Sequence, residues 1–173
     1  GTQVVVNGVL ASLLYVSPTQ VNFILPSNLD AGTATILVRS PKGNYAMGTS
    51  QIATAAPAIF TADASGRGDA AALATTDGVN YVYAPFAVTV NGRPNILVLF
   101  GTGFRHAVAT SSTDENGVAE SVRVTIDGLD APVLYAGAQG EYIGLDQINV
   151  EFPATLSPGA RRVEVVLWLN GVE

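Results

Sequence analysis

Apolar and polar residues alternate with a period of two along most of the chain. Gln20-Val21-Asn22-Phe23-Ile24-Leu25 alternates until Pro26 stops it, and Thr33 to Arg39 alternates around Ala34, Ile36 and Val38. The same texture runs through Val4 and Val6, Leu14 and Val16, Phe86 to Val90, Ile96 to Phe100, Val122 to Ile126, Gln147 to Phe152 and Val163 to Leu169, and Tyr45 to Ala53 is a further strand candidate. A two-residue period sends successive side chains to opposite faces of a strand, so each run predicts a short β-strand. Between the runs stand Asn7-Gly8, Asp77-Gly78, Asn91-Gly92, Asn116-Gly117, Asp127-Gly128 and Asn170-Gly171. Asx-Gly pairs accept the positive φ of tight hairpin turns. No apolar stripe at i, i+3, i+4, i+7 is long enough to predict a helix. Short strands at about 8–12-residue spacing, separated by turn signals, predict an all-β sandwich or barrel.

The chain also repeats itself. Val4 to Tyr15 aligns with Val124 to Tyr135, so that Gly8 meets Gly128, Ala11 meets Ala131 and Leu14-Tyr15 meets Leu134-Tyr135. Both copies then reach a Gln-apolar-Asn triplet, Gln20-Val21-Asn22 and Gln147-Ile148-Asn149. Pro26 matches Pro153, Leu29 matches Leu156 and Gly32 matches Gly159. Two copies of one β unit predict two similar sandwich domains. The small, proline-broken connector Ala55-Ala56-Pro57-Ala58 marks the boundary, giving domains over 1–56 and 57–173. Ile96 to Phe104, an apolar run ending in a glycine turn, precedes the second copy and has no counterpart before the first. Tyr45 to Ala53 follows the first copy and has no counterpart after the second. The first domain is therefore expected to lack an opening strand and the second a closing one.

Several of these segments together resemble a known group. Val-Asn-Gly…Leu-Leu-Tyr-Val-Ser-Pro…Gln-Val-Asn-Phe…Pro, the connector Ala-Ala-Pro-Ala-Ile-Phe-Thr over 55–61, and Phe-Gly-Thr-Gly-Phe followed by Leu-Tyr-Ala-Gly and Gly-Leu-Asp-Gln-Ile-Asn-Val resemble the uncharacterised C-terminal domain family of secreted acidobacterial, Solibacter-type proteins. Ile96 to Phe104 is also similar to the opening strand of immunoglobulin-like IPT/TIG domains. The resemblance implies tandem Ig-like antiparallel β-sandwiches on an exported bacterial protein, and it implies no catalytic residues.

Composition narrows the function classes. Charged residues are only 13% of the 173 and apolar residues 48%, against about 25% charged in an average soluble protein, which excludes intrinsic disorder. A net charge of −6 with eight Lys and Arg argues against nucleic-acid binding, which relies on cations to displace counterions. The longest unbroken aliphatic and aromatic run, Ile96 to Phe100, is too short to span a bilayer. No basic-then-apolar leader opens the chain, so an export signal is expected to have been removed already. The absence of cysteine removes disulfides, thiol catalysis and Cys-ligated zinc.

Little reactive chemistry remains. His106 is the single histidine and follows the Gly103-Phe104-Arg105 turn. No Gly-x-Ser-x-Gly elbow accompanies it, so it reads as a loop residue. Asp114-Glu115-Asn116-Gly117 with Glu120 is the densest acidic stretch, but its spacing is not that of an EF-hand, and a solvated loop is the better reading. Glu141 and Asp146 add carboxylates in the longer loop of the second copy. Arg67-Gly68-Asp69 reads as a turn before a strand. Gln20, Asn22, Gln147 and Asn149 read as structural amides tying neighbouring loop backbone, and Tyr15 and Tyr135 as paired core or corner tyrosines. Trp168 falls on a strand expected to be an edge.

The sequence thus predicts no catalytic residues, no metal site and no cofactor. Its repeat positions Gly8, Tyr15, Gln20, Asn22, Pro26, Gly128, Tyr135, Gln147, Asn149 and Pro153 are structural, with Trp168 and Tyr142 as interaction candidates. The expected function is a non-enzymatic extracellular or cell-surface structural module that partners with protein, by self-association or with neighbouring modules, through strand addition into a filament or surface layer. The alternative is a carbohydrate-binding or adhesion module, which requires an exposed aromatic row drawn from Tyr81, Tyr83, Tyr142 and Trp168.

Overall fold

The structure, a computed structural model, describes residues 1–104, 122–157, 159 and 161–169. The described residues contain no helix and form antiparallel sheets throughout, consistent with a β-sandwich. His106, the acidic stretch 114–120, and the Asn116-Gly117 and Asn170-Gly171 pairs lie outside the described residues. The chain divides into two compact units, Gly1–Thr54 and Ala55–Glu173. Ala55 is buried in the core of the second unit, so the chain enters that unit two residues ahead of the 56/57 division.

The first unit carries β1 (Gln3–Val6), β2 (Val9–Leu10), β3 (Ser12–Val16), β4 (Val21–Ile24), β5 (Gly32–Arg39) and β6 (Tyr45–Ile52). β2-β1-β5-β6 form one sheet and β3-β4 a second. Alternation puts Val4 and Val6 on one face of β1, where both are fully buried with Ala11 and Ala34. Leu13, Val21, Phe23, Ile36, Val38 and Ile52 pack against them, half-buried. These four buried residues are a small core for 54 residues.

The second unit carries β7 (Ala58–Ile59), β8 (Ala72–Thr75), β9 (Thr89–Val90), β10 (Arg93–Pro94), β11 (Ile96–Thr102), β12 (Val122–Ile126), β13 (Leu129–Ala131), β14 (Val133–Ala138), β15 (Asp146–Glu151) and β16 (Val165–Leu169). One sheet runs β14-β15-β11, with β7 and β8 sharing the far side of β11, and another runs β13-β12-β16. Leu97, Leu99, Ile148 and Val150 from the first and Val124, Ile126, Leu167 and Leu169 from the second belong to one core. The expected strand over Phe86–Val90 shrinks to Thr89–Val90, paired with Arg93–Pro94 across Asn91-Gly92. Phe86 and Val88 instead lie as irregular chain against the core.

The two units share one pairing scheme, and the correspondence holds residue by residue. Val5 faces Leu10 and Val6 faces Val9 in the first unit; Thr125 faces Asp130 and Ile126 faces Leu129 in the second. Val4, Val5 and Val6 face Val38, Leu37 and Ile36, as Val124, Thr125 and Ile126 face Leu167, Val166 and Val165. β3–β4 and β14–β15 even carry the same irregularity, between Leu13 and Tyr15 and between Val133 and Tyr135. The hairpin turns match as well: Asn7 and Asp127 have φ of 49° and 55°, and Gly8 and Gly128 have φ of 85° and 76°. Both residues of each turn therefore have positive φ, as a type I′ turn requires. The amide of Asn7 donates to the Thr35 carbonyl, and that of Asp127 to the Glu164 carbonyl, clamping equivalent strands beside equivalent turns.

Candidate functional site: open sheet edges

The repeat makes differences between the units informative. In the second unit β15 lies between two strands, β14 on one side and β11 on the other, with Leu97 facing Val150 and Leu99 facing Ile148. Among the described residues its counterpart β4 pairs with β3 alone. The consequence is a change in burial at matched positions. Ile148 and Val150 are 0% exposed, whereas Val21 and Phe23 are half-buried. Leu14, Tyr15, Val16 and Leu25, on or beside the β3–β4 hairpin, are 45–53% exposed.

β6 is the second open edge. It pairs with β5 over its full eight residues, Gly32 against Ile52 through Arg39 against Tyr45, and among the described residues no strand lies beyond it. Seven of its residues are exposed, and Tyr45 and Met47 are 74% and 70% exposed. Tyr-Ala-Met-Gly-Thr-Ser-Gln-Ile contains neither charge nor proline, the devices that commonly protect an edge from pairing. In the second unit β16 is likewise the last strand of its sheet among the described residues. It carries Trp168, whose ring lies under the Arg123 guanidinium at 4.7 Å from the centroid. Arg123 in turn bonds Asp130 at 2.7 Å. The indole is thus capped by a cation on one face.

The amides fall elsewhere than the sequence suggests. Gln20 Nε2 donates to Asn22 Oδ1 at 2.7 Å, and Gln147 Nε2 donates to Asn149 Oδ1 at 2.8 Å. Each pair ties itself along its own strand rather than tying loop backbone, because residues two apart share a face. Gln20 and Asn22 are exposed, and Gln147 and Asn149 half-buried. Of the core and corner roles expected of the tyrosines, the core role is met by neither: Tyr15 is exposed, while Tyr135 is half-buried and its hydroxyl donates to the nearby Ala138 carbonyl, as a corner tyrosine does. Pro26 and Pro153 follow their strands in both units, and Gly32 and Gly159 both have positive φ, 133° and 140°.

The aromatic residues proposed for a sugar platform are spread apart. Tyr81 and Tyr83 flank Val82, which bridges to Ala74 of β8, at one side of the larger sheet. Tyr142 stands in the loop leaving β14, at the other side of that sheet. Tyr142 and the adjacent Ile143 are exposed.

The second unit also opens between its layers. A cleft of about 810 Å³ is lined by apolar residues, among them Phe86, Leu97, Leu99, Phe152, Val163 and Val165. Two ion pairs stand at its rim, Arg162 with Asp69 at 3.0 Å and Arg161 with Asp127 at 2.7 Å. The hydrogen bond from Arg161 holds the Asp127 carboxyl below its ordinary range. Asp69 is the acidic residue of Arg67-Gly68-Asp69, and that loop is closed by bonds from Gly66 to Thr61 and from the Ser65 hydroxyl to the Arg67 carbonyl.

Buried polar groups missed in the sequence hold the fold. The Phe104 amide donates to Asp146 Oδ2 at 2.8 Å, and both residues are buried. Buried Asn95 donates from Nδ2 to the Ala87 carbonyl and accepts from the Ile96 amide. The sequence marks Asp146 only as a loop carboxylate within Gly-Leu-Asp-Gln-Ile-Asn-Val and assigns Asn95 no role; their burial reveals what they do. Asp77 accepts from the Val79 and Asn80 amides and from the Asn80 side chain, which together hold its carboxyl far below the usual carboxylate range. It therefore organises the longer loop between the bridged Ala74 and Val82, and Asp77-Gly78 is not a two-residue hairpin turn: only Gly78 has positive φ. Among the described residues no three His, Cys, Asp or Glu side chains cluster to hold a metal, and no helix is long and apolar enough to cross a membrane. Compared with known families, curated proteins and solved structures, the chain matches none.

Proposed function

We propose that this chain is a non-enzymatic structural module of the bacterial cell exterior, built of two Ig-like β-sandwich units that join neighbouring protein through sheet edges. The observation that carries the reading is β6, an eight-residue edge with seven exposed residues, no charge and no proline. A row of free backbone donors and acceptors on such an edge is a template for another strand. Repeated head-to-tail contacts of this kind extend into a filament when the rotation does not close. The low charge content and the absence of cysteine fit an exported chain that depends on sheet packing alone.

Sedimentation over a wide concentration range tests it, comparing the chain with the double variant Met47→Lys, Thr49→Lys. Both positions are exposed on β6, and lysine on an edge strand opposes edge-to-edge pairing. The expected result is concentration-dependent association of the parent chain and a monomeric variant with the same far-ultraviolet strand signal. With a net charge of −6 and an uncharged contact, association strengthens as salt screens the mutual repulsion. A parent chain that stays monomeric, or a variant that associates as tightly, overturns the reading.

A further inference from the structure

We infer that Asn91-Gly92 is a site of spontaneous deamidation and isoaspartate formation, and that Asn7-Gly8, the same dipeptide in the same kind of turn, is shielded from it. Both pairs are exposed and join two antiparallel strands directly. Asn7 and Asn91 have φ of 49° and 51°, and Gly8 and Gly92 have φ of 85° and 76°, so the two turns start from the same backbone. Glycine in second place leaves its nitrogen unhindered, because no Cβ stands beside it. The Gly92 amide nitrogen, once it has lost its proton to hydroxide, attacks Asn91 Cγ. A nitrogen–carbon bond closes a five-membered succinimide, the Cγ–Nδ2 bond breaks, and the leaving nitrogen takes a proton from water to depart as ammonia. Water then adds to one ring carbonyl or the other and opens the ring to aspartate or isoaspartate. One water is consumed, one ammonia is released, and the chain gains one negative charge on its −6.

Hydrogen bonding separates the two sites. The Thr35 amide donates to Asn7 Oδ1 at 2.8 Å, and the Asn7 amide donates to the Thr35 carbonyl at 2.9 Å. Ring closure has to swing Cγ over the following nitrogen, so at position 7 the bond to Oδ1 breaks first. β1 is also held from both sides, by β2 and β5. Among the described residues no side-chain hydrogen bond holds Asn91. β9 and β10 form a two-stranded sheet of their own with two paired positions, Val90 against Arg93 and Thr89 against Pro94, and Pro94 has no N–H to donate. A Cβ built on either Gly8 or Gly92 would meet nothing within 4 Å, so space is equal and the tether makes the difference. The reactive geometry is therefore a lower-energy local opening at Asn91 than at Asn7. Isoaspartate runs the main chain through its side-chain carbon, and the extra atom breaks the two-residue turn that pairs β9 with β10. The change stops at Asn95, whose amide donates to the Val88 carbonyl, whose Nδ2 donates to the Ala87 carbonyl and whose own carbonyl accepts from the Phe152 amide. Those bonds anchor the start of β11 without the hairpin.

This chemistry does not depend on edge pairing. The intact chain is held in mildly alkaline buffer, quenched in acid over a time course, cleaved and mapped by tandem mass spectrometry, with isoaspartate marked by isoaspartyl methyltransferase. A parallel sample is unfolded in urea. The expected result is conversion at Asn91 about tenfold faster than at Asn7 in the folded chain, and rates within about twofold of each other in the unfolded chain, where the tether to Thr35 is gone. Equal rates in the folded chain, or a faster Asn7, overturn the inference. So does a tenfold difference that persists in urea, because flanking sequence and not the fold would then set it. The isoaspartyl form, separated by its added charge on an anion exchanger, is then followed by amide hydrogen exchange. Faster exchange at Val90 and Arg93 with unchanged protection of Ile96–Phe100 is expected. Lost protection along β11 overturns the confinement of the change to the hairpin.

Discussion

Gly101 and Gly103 stand where another stretch of backbone crosses them. A Cβ on Gly101 would collide with the Ala58 carbonyl and the Phe104 ring, and one on Gly103 would lie 2.5 Å from the Ala56 carbonyl oxygen. The Phe-Gly-Thr-Gly-Phe motif therefore serves a close approach between the start of the second unit and its central strand, with Phe104 buried beneath and its amide held by Asp146. Gly8 has a similar positive φ but open space around the missing side chain. Gly8→Ala is expected to cost only the left-handed backbone penalty, about 1–2 kcal/mol. Gly103→Ala adds a steric clash to the same penalty and is expected to cost more. Urea denaturation of the two variants measures the difference, and equal losses would remove the steric account. The turn role of these glycines is legible in sequence. The crossing is not, because it joins residues more than forty positions apart.

At the scale of the element, alternation works because one face of most strands meets a core and the other meets water. β15 shows it cleanly: Ile148 and Val150 are buried while Gln147 and Asn149 are half-buried. β4 has the same pattern in weaker contrast, because among the described residues it pairs with β3 alone. The difference predicts unequal costs for matched truncations. Ile148→Ala is expected to destabilise the second unit by about 2–5 kcal/mol, the range for emptying a fully buried aliphatic site. Val21→Ala removes fewer atoms at a half-buried position and is expected to cost well under that. Equal losses in denaturant titrations would mean that β4 is already covered. β7 escaped the sequence reading because two residues, Ala58 and Ile59, are too short to show a period. Phe86 to Val90 misled it because an alternating run also suits irregular chain laid over a core.

The whole molecule is two units with one pairing scheme and unequal cores. The core cluster of the first has four buried apolar residues and that of the second has fifteen among its described residues. Apolar burial supplies most of the stabilising free energy, and units near sixty residues bury the smallest share of their surface. The first unit is therefore expected to open at lower denaturant than the second. Native-state hydrogen exchange should show the β1 and β5 amides exchanging through a lower-energy opening than those of β11 and β15. A single transition with uniform protection would show that the units fold as one cooperative body.

The sequence by itself determined the all-β class, the positions of most strands and the duplication, because each is written in local period or in self-alignment; of its six Asx-Gly turn signals three are hairpin turns, at 7–8, 91–92 and 127–128, one lies in a longer loop, and two fall outside the described residues. Tertiary structure decided which strand lies beside which, and with it every property of the edges. The amides of Gln20 and Asn22 bond each other because they share a strand face. Asp146 is buried because β11 lies over β15. Val21 stays half-buried where, among the described residues, β4 has β3 as its one strand neighbour. These outcomes depend on neighbours brought in from distant positions, and no local pattern of apolar and polar residues records which neighbour arrives.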